Sequence, residues 1–227
     1  MVLAGWRIAR VERPYNGCVA LAPCSDLSAA EWIAASELAW SDLVVFGPSG
    51  FAAYARLRFI PDPALDGQRE NDLALDWDAI PDVADQWRAL LDLLAAHTRT
   101  PQECYFCLWD GWPDPPPWLS QMPKLKIPRS DPIPKRAYFL FRGPLPAAAD
   151  WVGEGAMQGG PQVWPAEVPG YEPAFVWPAD HAWCVANDVD PHWARIGGDA
   201  PLIERLLADP RLDAVAADPA DHQPFYR

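Results

Sequence analysis

The segment from 180 to 192 concentrates the side chains best suited to acid–base or metal chemistry: Asp180, His181, Asp188, Asp190 and His192. Carboxylates and imidazoles near strand ends can bind a divalent ion or transfer protons. If AWCVA at 182–186 is a strand, its alternation extends to Asp188, Asp190 and His192, which would then share one face. We take these three as a candidate metal or general-base array. The alternative is that the two aspartates cap turns while neighbouring tryptophans fix the loop by packing.

Two short pairs of soft ligands raise the question of zinc. Cys104 and Cys107 are spaced C-x-x-C, and His181 and Cys184 are spaced H-x-x-C. Four such ligands could form a closed tetrahedral zinc site. Both pairs lie on predicted strands, however, where residues three apart point to opposite faces. We therefore favour buried free thiols over a metal site, and we expect no cofactor.

Signatures of nucleophilic catalysis or nucleotide binding are not matched. GPSG at 47–50 is neither the G-x-S-x-G nucleophile turn nor a phosphate-binding loop, since no lysine follows it. GEGAMQGG at 153–160 does not fit the dinucleotide-binding fingerprint. The sequence therefore leaves open whether the protein is an enzyme.

Tryptophan is unusually frequent, with 13 residues accompanied by 27 prolines. Several tryptophans lie along the proline-rich segment 110–136 or in the C-terminal part of the chain. A rigid aromatic side chain in such a loop gives contact area at small entropic cost, as in recognition surfaces. The alternative for each is that it anchors a loop in the core. The candidate binding residues are Trp109, Trp112, Trp118, Trp177, Trp183, Asp188, Asp190 and His192.

The segment 110–136 also collects basic residues, namely Lys124, Lys126, Arg129, Lys135 and Arg136. A basic loop on an acidic protein can serve in docking. Exposed charge that only improves solubility is the alternative.

The charge balance excludes several partners. The formal net charge is -13, which repels phosphate backbones and anionic lipid and disfavours binding to nucleic acid or a membrane surface. A basic protein is the partner that this charge favours.

The N-terminal stretch has no apolar signal region, and the five cysteines are irregularly spaced, so we expect a cytoplasmic protein with free thiols. The oligomeric state stays open.

Three helices are predicted from capping and periodicity. The first starts at Ser28, where Ser28 and Glu31 fit a capping box, and stops near Trp40. The second covers 80–94, with an apolar stripe at the helical period. The third covers 200–208 with Asp199 as its cap, and its inward residues are Leu202, Leu206 and Leu207.

Strands are predicted between these helices. In 54–60, Ala55, Leu57 and Phe59 face inward, and Arg56 and Arg58 form a wet face. ECYFCLW at 103–109 is apolar on both faces and should be central. Further strands are predicted at 137–141, 174–177, 182–186 and 212–217, with 174–177 and 182–186 adjacent across a turn. We predict an α+β fold with a mostly antiparallel sheet, about three helices and long Pro/Trp-rich loops. Residues 1–227 should form one globular domain, although the loops within 110–173 could hide a boundary.

Four strings carry a resemblance: FGPSGFAAYARLRF at 46–59, CYFCLWDGW at 104–112, YFLFRGPL at 138–145 and WPADHAWCVANDVD at 177–190. Together they resemble a family of uncharacterised proteins from high-GC Gram-positive bacteria. The resemblance covers most of the chain and implies a cytoplasmic bacterial protein. It implies no activity, so no catalytic residue is transferred. YFLFRGPL and the strand-rich layout are also loosely similar to small immunity and interaction domains.

Two functional hypotheses follow. The first is a non-enzymatic binding or interaction protein of immunity-like character, with an acidic, aromatic-lined surface and a basic protein as its partner. The second is a small metal-dependent or acid–base enzyme that uses the Asp/His cluster at 180–192.

Overall fold

A sheet of nine strands organises the chain in a computed structural model, which describes residues 21–74, 80–112, 116–127, 136–145 and 172–227. Every strand pairing among these residues is antiparallel. The order across the sheet is β1-β5-β3-β6-β7-β8-β2-β9, with β4 also paired to β5. The strands are β1 (Ala22–Pro23), β2 (Ala53–Arg58), β3 (Cys104–Trp109), β4 (Leu125–Lys126), β5 (Ala137–Gly143), β6 (Phe175–Pro178), β7 (Cys184–Ala186), β8 (Trp193–Gly198) and β9 (Ala214–Ala216).

Among the described residues, four α-helices accompany the sheet: α1 (Glu31–Ala34), α2 (Trp40–Phe46), α3 (Val83–Ala96) and α4 (Ala200–Ala208). The predicted α+β class with an antiparallel sheet is confirmed, with one helix more than the three expected. No helix in the described ranges is both long and apolar enough to span a membrane.

The helices cover both faces of the sheet. Buried residues of α3 and α4 pack with one set of strand side chains, including Phe106 and Val185. Buried residues of α1 and α2 pack with the opposite set, including Cys107 and Tyr138. Because successive strand residues point to opposite faces, β3 contributes to both cores. Its predicted central position is confirmed, since it lies between β5 and β6.

The C-terminal strands also follow the prediction. β6 and β7 form the expected hairpin, with Phe175 opposite Ala186 and Val176 opposite Val185. The predicted final strand at 212–217 is β9, which pairs with β2. A strand that was not predicted, β8, lies between β7 and β2 and supplies much of the candidate site described below.

The first helix departs from its prediction. Residues 28–30 form a 3-10 turn, α1 ends at Ala34, and a separate helix starts at Trp40. The Ser28 side chain caps nothing; instead its backbone N–H donates to the Asp26 carboxylate at 2.9 Å. The capping box was therefore wrong, because Asp26 uses the local backbone donor in a turn of its own.

Both longer helices have acidic caps, of which only Asp199 was predicted as a cap. The Asp82 carboxylate accepts from the Asp85 N–H at 3.1 Å, and the Asp199 carboxylate accepts from the Leu202 N–H at 2.8 Å. The prediction of the inward face of α4 was wrong at one residue. Leu207 is 41% exposed, and Ile203 is buried in the core instead.

The long segment 110–136 is not purely a loop. It contains a 3-10 turn at 119–121 and the short strand β4, which pairs with β5. The Gly-rich run 153–160, most of the 143–173 segment, and Arg129 and Lys135 lie outside the described residues.

Candidate functional site

Arg136 is the centre of the candidate site. It directly precedes β5, and its guanidinium carbon lies 4.4 Å from the ring centroid of Trp109, the last residue of β3. One guanidinium nitrogen lies 3.0 Å from the carboxylates of both Asp188 and Asp190, in the loop between β7 and β8. The antiparallel pairing of β3 with β5 sets Trp109 opposite Tyr138 and so brings the ring beside Arg136. One cation thus joins predicted residues from two distant segments.

A second tryptophan extends this cluster. Trp112 meets Trp109 edge to face, with ring centroids 5.7 Å apart, and both side chains are half-buried. Asp110 lies between them in sequence and forms an ion pair with Lys124 at 3.2 Å. We call this set the Trp109 surface: Trp109, Asp110, Trp112, Lys124, Arg136, Asp188 and Asp190.

Gly111 is required for this ring arrangement. A Cβ atom at this position would lie 2.1 Å from a carbon atom of the Trp109 ring. The ring therefore folds back over the chain at a residue that can carry no side chain. Rigid strands and this close approach fix the orientation of Trp109.

The two aspartates on Arg136 differ in exposure. The Asp188 side chain is 5% exposed, whereas that of Asp190 is 79% exposed. Burial raises the pKa of Asp188 to about 6; the charge of Arg136 opposes this rise only in part, and the nearby negative charge of Asp190 adds to it. The Asp190 carboxylate is therefore exposed to solvent, whereas the Asp188 carboxylate forms its ion pair with Arg136 in the protein interior.

His192 does not join the aspartates. Its Nε2 lies 3.0 Å from an Asp62 carboxylate oxygen, in a separate charge cluster. The array of Asp188, Asp190 and His192 on one strand face was therefore wrong. The physical reason is that residues 187–192 form the connection between β7 and β8, so the alternation of β7 does not continue through them.

The charge cluster around Asp62 was missed from the sequence. Asp62 binds Arg56 at 2.7 Å and Arg58 at 3.3 Å, and Arg58 also binds Asp213 at 2.6 Å. Arg56 is only 6% exposed, so the predicted wet face of β2 was wrong at this position. The segment after β2 folds back and supplies the carboxylate that allows burial of the guanidinium.

Burial alone would raise the pKa of Asp62, but hydrogen bonds from Arg56 and His192 and the charges of Arg56 and Arg58 lower it to about 2. Burial lowers the pKa of His192, and the hydrogen bond to Asp62 opposes this shift only in part. The Tyr226 ring packs edge to face on His192, with centroids 4.7 Å apart. These groups are arranged as a structural network, with His192 uncharged near neutral pH.

The cysteines follow the preferred prediction of buried thiols. Cys104 packs on the α3/α4 side of the sheet, and Cys107 and Cys184 pack on the opposite side. Burial raises the pKa of Cys104 to about 12 and also raises the pKa of the Cys107 and Cys184 thiols. Cys104 and Cys107 cannot ligate the same ion, because the sheet lies between them. All four described cysteines are free and buried: Cys24, Cys104, Cys107 and Cys184.

The polar residues of the β6–β7 turn, Asp180 and His181, contact neighbouring parts of the fold. Asp180 accepts hydrogen bonds from the Thr98 hydroxyl at 2.7 Å and the Arg99 N–H at 2.8 Å. His181 is exposed, has a φ of 53°, and stacks on Trp32 with centroids 4.5 Å apart. Within the described ranges, no group of three His, Cys, Asp or Glu side chains is arranged to hold a metal ion.

Two predicted binding tryptophans are core residues instead. Trp177 and Trp183 are 0% exposed, and the Trp183 indole N–H donates to the Leu94 carbonyl at 3.0 Å. Both were wrong as surface residues, because their rings fill the space between the sheet and its helices. Trp118 is half-buried and packs against the α3/α4 core.

In comparisons with known proteins, no protein-family model, curated protein or solved structure matches this chain.

Arg136 and Arg56 are the residues that sequence reasoning did not assign. Arg136 was noted only as part of a basic loop, and Arg56 only as part of a wet strand face. In each case the signal was an arginine within or directly beside an apolar run, which needs a carboxylate partner if it is buried. The sequence does not say which of many aspartates that partner is.

Proposed function

We propose that the protein is a non-enzymatic binding protein whose Trp109 surface contacts a basic segment of a partner protein. One observation carries the proposal: Asp190, whose side chain is 79% exposed, forms an ion pair with Arg136, and Arg136 also stacks on Trp109. A hydrated carboxylate beside half-buried indole rings suits an incoming lysine or arginine, which can pair with the acid and pack on the rings.

The local charges support a basic partner. Three carboxylates of this surface, Asp110, Asp188 and Asp190, face two cations, Lys124 and Arg136. The whole chain adds a formal net charge of -13, which accelerates the encounter with a basic protein. Val189 is 42% exposed between the two aspartates and offers an apolar contact.

The surface is also preorganised. Trp109 ends a central strand, Arg136 holds the β7–β8 loop by two ion pairs, and Gly111 lets the ring fold back. A rigid aromatic site loses little conformational entropy on binding, which favours a recognition role.

The proposal includes a bacterial, cytoplasmic protein with an immunity-like role. It is supported by the resemblance given above, by the free thiols and by the acidic charge, which disfavours nucleic acid.

A pull-down from native lysate of the producing organism tests the binding role. We compare the native chain with Asp190→Lys, which reverses the exposed charge of the Trp109 surface, and with Asp92→Lys. Asp92 lies on α3 and its side chain is 75% exposed, so its substitution is a matched charge control. We expect a stoichiometric basic partner with the native chain and with Asp92→Lys, and its loss with Asp190→Lys.

Capture should also weaken as salt is raised, because exposed charges are screened. Equal capture by all three chains would show that the Trp109 surface is not the binding site. Recovery of no protein partner, with a small molecule retained instead, would refute the binding role.

A second proposal is an acid–base enzyme, and the pKa of Asp188, raised by burial to about 6, favours it. A carboxyl group that titrates near neutral pH can act as a general acid. Elemental analysis and a melting temperature with divalent ions and with chelator test a metal-dependent version. We prefer the binding role, because Asp188 is held by Arg136 and His192 by Asp62.

A further inference from the structure

Arg195, on β8, is a buried cation that has no ion-pair partner within the described ranges. The residue is 4% exposed, and its Nε–H has no hydrogen-bond partner. Among the residues that the structure describes, no carboxylate forms an ion pair with it and no oxygen accepts from its guanidinium. A buried charge of this kind costs free energy unless a partner neutralises it.

Arg56 gives a direct comparison. It lies opposite Arg195 across the β2–β8 pairing, so both guanidinium groups project from the same face of the sheet. Arg56 is neutralised by Asp62 at 2.7 Å, whereas none of the carboxylates in the described part of the chain pairs with Arg195 in this way. Two like charges side by side are unfavourable, which increases the need of Arg195 for an anion.

The guanidinium of Arg195 is held between aromatic rings. Its central carbon lies 4.0 Å from the centroid of Tyr54 and 5.2 Å from that of Phe46. An aromatic ring offers the guanidinium its π face but no strong hydrogen-bond acceptor, so these contacts leave N–H groups of Arg195 in need of an acceptor. Burial lowers the pKa of Arg195 to about 10, which still leaves the group charged at neutral pH.

A cavity of about 530 Å³ adjoins this arginine. Its walls come from α2, the following turn and the C-terminal segment, and several lining residues are apolar: Leu38, Val45, Phe46, Pro219, Ala220 and Phe225. The volume lies in the usual range for small-molecule sites, roughly 300–1,000 Å³. None of the residues of the Trp109 surface lines it.

We propose that this cavity binds a small organic carboxylate, with the carboxylate on the N–H edge of Arg195 and an apolar body against α2 and Phe225. A planar carboxylate matches the planar guanidinium edge. The site does not depend on the proposed protein-binding role.

Other charges around the cavity fit this orientation. Asp42, Asp221 and His222 also line it, and all three are exposed. The field of Asp218 also reaches Arg195, and this residue too is exposed. Charges in contact with water are screened more strongly than a buried one, so Arg195 dominates inside the cavity. The exposed acids disfavour ions of high negative charge and so favour a monocarboxylate over phosphate.

Isothermal titration calorimetry with defined probes tests the site. The probes are 3-phenylpropionate and octanoate as apolar carboxylates, 2-phenylethylamine as a cation of similar size, and inorganic phosphate. We expect the carboxylates to bind the native chain and the other two probes to bind much more weakly. Arg195→Met should weaken carboxylate binding by about tenfold or more, because a hydrogen bond to a charged group is lost.

Arg142→Met is the matched control, because Arg142 is an exposed arginine on β5 of the same sheet. It should bind the carboxylates like the native chain. Without ligand, Arg195→Met should melt at the same temperature as the native chain or higher, since an unpaired buried charge is removed. Arg195→Lys keeps the charge and should weaken binding by about tenfold, because the planar fork is lost.

Four results would overturn the proposal: no binding of either carboxylate to the native chain, undiminished binding to both Arg195 variants, equal binding of 2-phenylethylamine, or tighter binding of phosphate. The calorimetry uses purified protein and no partner. Its failure is therefore distinguishable from a failure of the pull-down.

Discussion

Three arginines of this protein have different surroundings, and these surroundings decide what each can do. Arg56 is neutralised within the fold by Asp62, and Arg136 holds a loop through Asp188 and Asp190. Arg195 is buried beside a cavity and forms no ion pair with a carboxylate of the described residues. Arginine thus has a structural role, a role in organising the surface and a proposed role in ligand binding at these three positions. Which role it has depends on the carboxylates that pair with its guanidinium.

At the residue scale, Asp188 should make stability depend on pH. Its pKa is about 6 in the folded protein and 3.8 for an unperturbed group, so between these values the folded state binds the proton and the unfolded state does not. The free energy of unfolding therefore falls as the pH rises through this window. Compared with Asp188→Asn, the native chain should lose up to about 3 kcal/mol between about pH 4 and pH 7.

Urea unfolding of both chains across that range measures the difference. Comparison with the variant is needed because His192 acts in the opposite direction: its lowered pKa means that stability is lost as the pH falls below about 6.5. Asp92→Asn, at an exposed site, should show no such trend. A difference between native and Asp188→Asn that does not change with pH would contradict the prediction.

At the scale of elements, the two longer helices were predictable from the sequence and the first helix was not. Apolar stripes long enough to specify a helix predicted both α3 and α4; Asp199 caps α4 as predicted, and Asp82 caps α3 without having been predicted as its cap. The segment after Ser28 has weaker periodicity and breaks into α1 and α2. Where local signals are weak, packing on the sheet decides the helix boundaries.

Asp199→Ala should destabilise the protein by about 1 kcal/mol, because the Leu202 N–H at the start of α4 loses its acceptor. Asp199→Asn retains an acceptor oxygen and should cost much less. Glu204→Ala, at an exposed position of the same helix, controls for the loss of an acidic charge. Thermal and urea unfolding give the ranking, and an Asn variant as unstable as the Ala variant would show that the cap bond contributes little.

At the scale of the whole molecule, Asp62 connects parts of the chain that are far apart in sequence. Its carboxylate binds Arg56 and Arg58 on β2 and His192 just before β8. The C-terminal segment closes over this cluster: Tyr226 contacts His192, and the Trp193 indole N–H donates to the Pro224 carbonyl at 3.1 Å.

Asp62→Asn should destabilise the folded chain by about 3 kcal/mol, because two arginines lose their shared counter-charge and one of them is buried. The pKa of Asp62 is lowered to about 2, so its contribution is present above the unperturbed value of 3.8 and is lost as the pH falls through about 2. Asp66→Asn, an exposed acid in the same segment, is the control. Urea unfolding near neutral pH measures the effect, and equal stability of the two variants would refute it.

The candidate site was predictable only in part. Trp109, Trp112, Asp188 and Asp190 were selected from residue type and position, and Arg136 brings all but Trp112 directly together. Trp177 and Trp183 were selected by the same reasoning and are buried. Composition shows that tryptophans are available, but whether a ring faces solvent depends on which elements cover it.

The sequence by itself determined the elements whose signals are local: the central strand β3, the β6–β7 hairpin, α3 and α4, and the α+β class. Periodicity and capping act over a few residues and can be read from the chain. Only the tertiary structure decided the charge partners, because Asp62 and His192, or Arg136 and Asp188, are distant in sequence. It also decided that no carboxylate of the described residues forms an ion pair with Arg195. That absence depends on everything packed around one side chain, which no local pattern encodes.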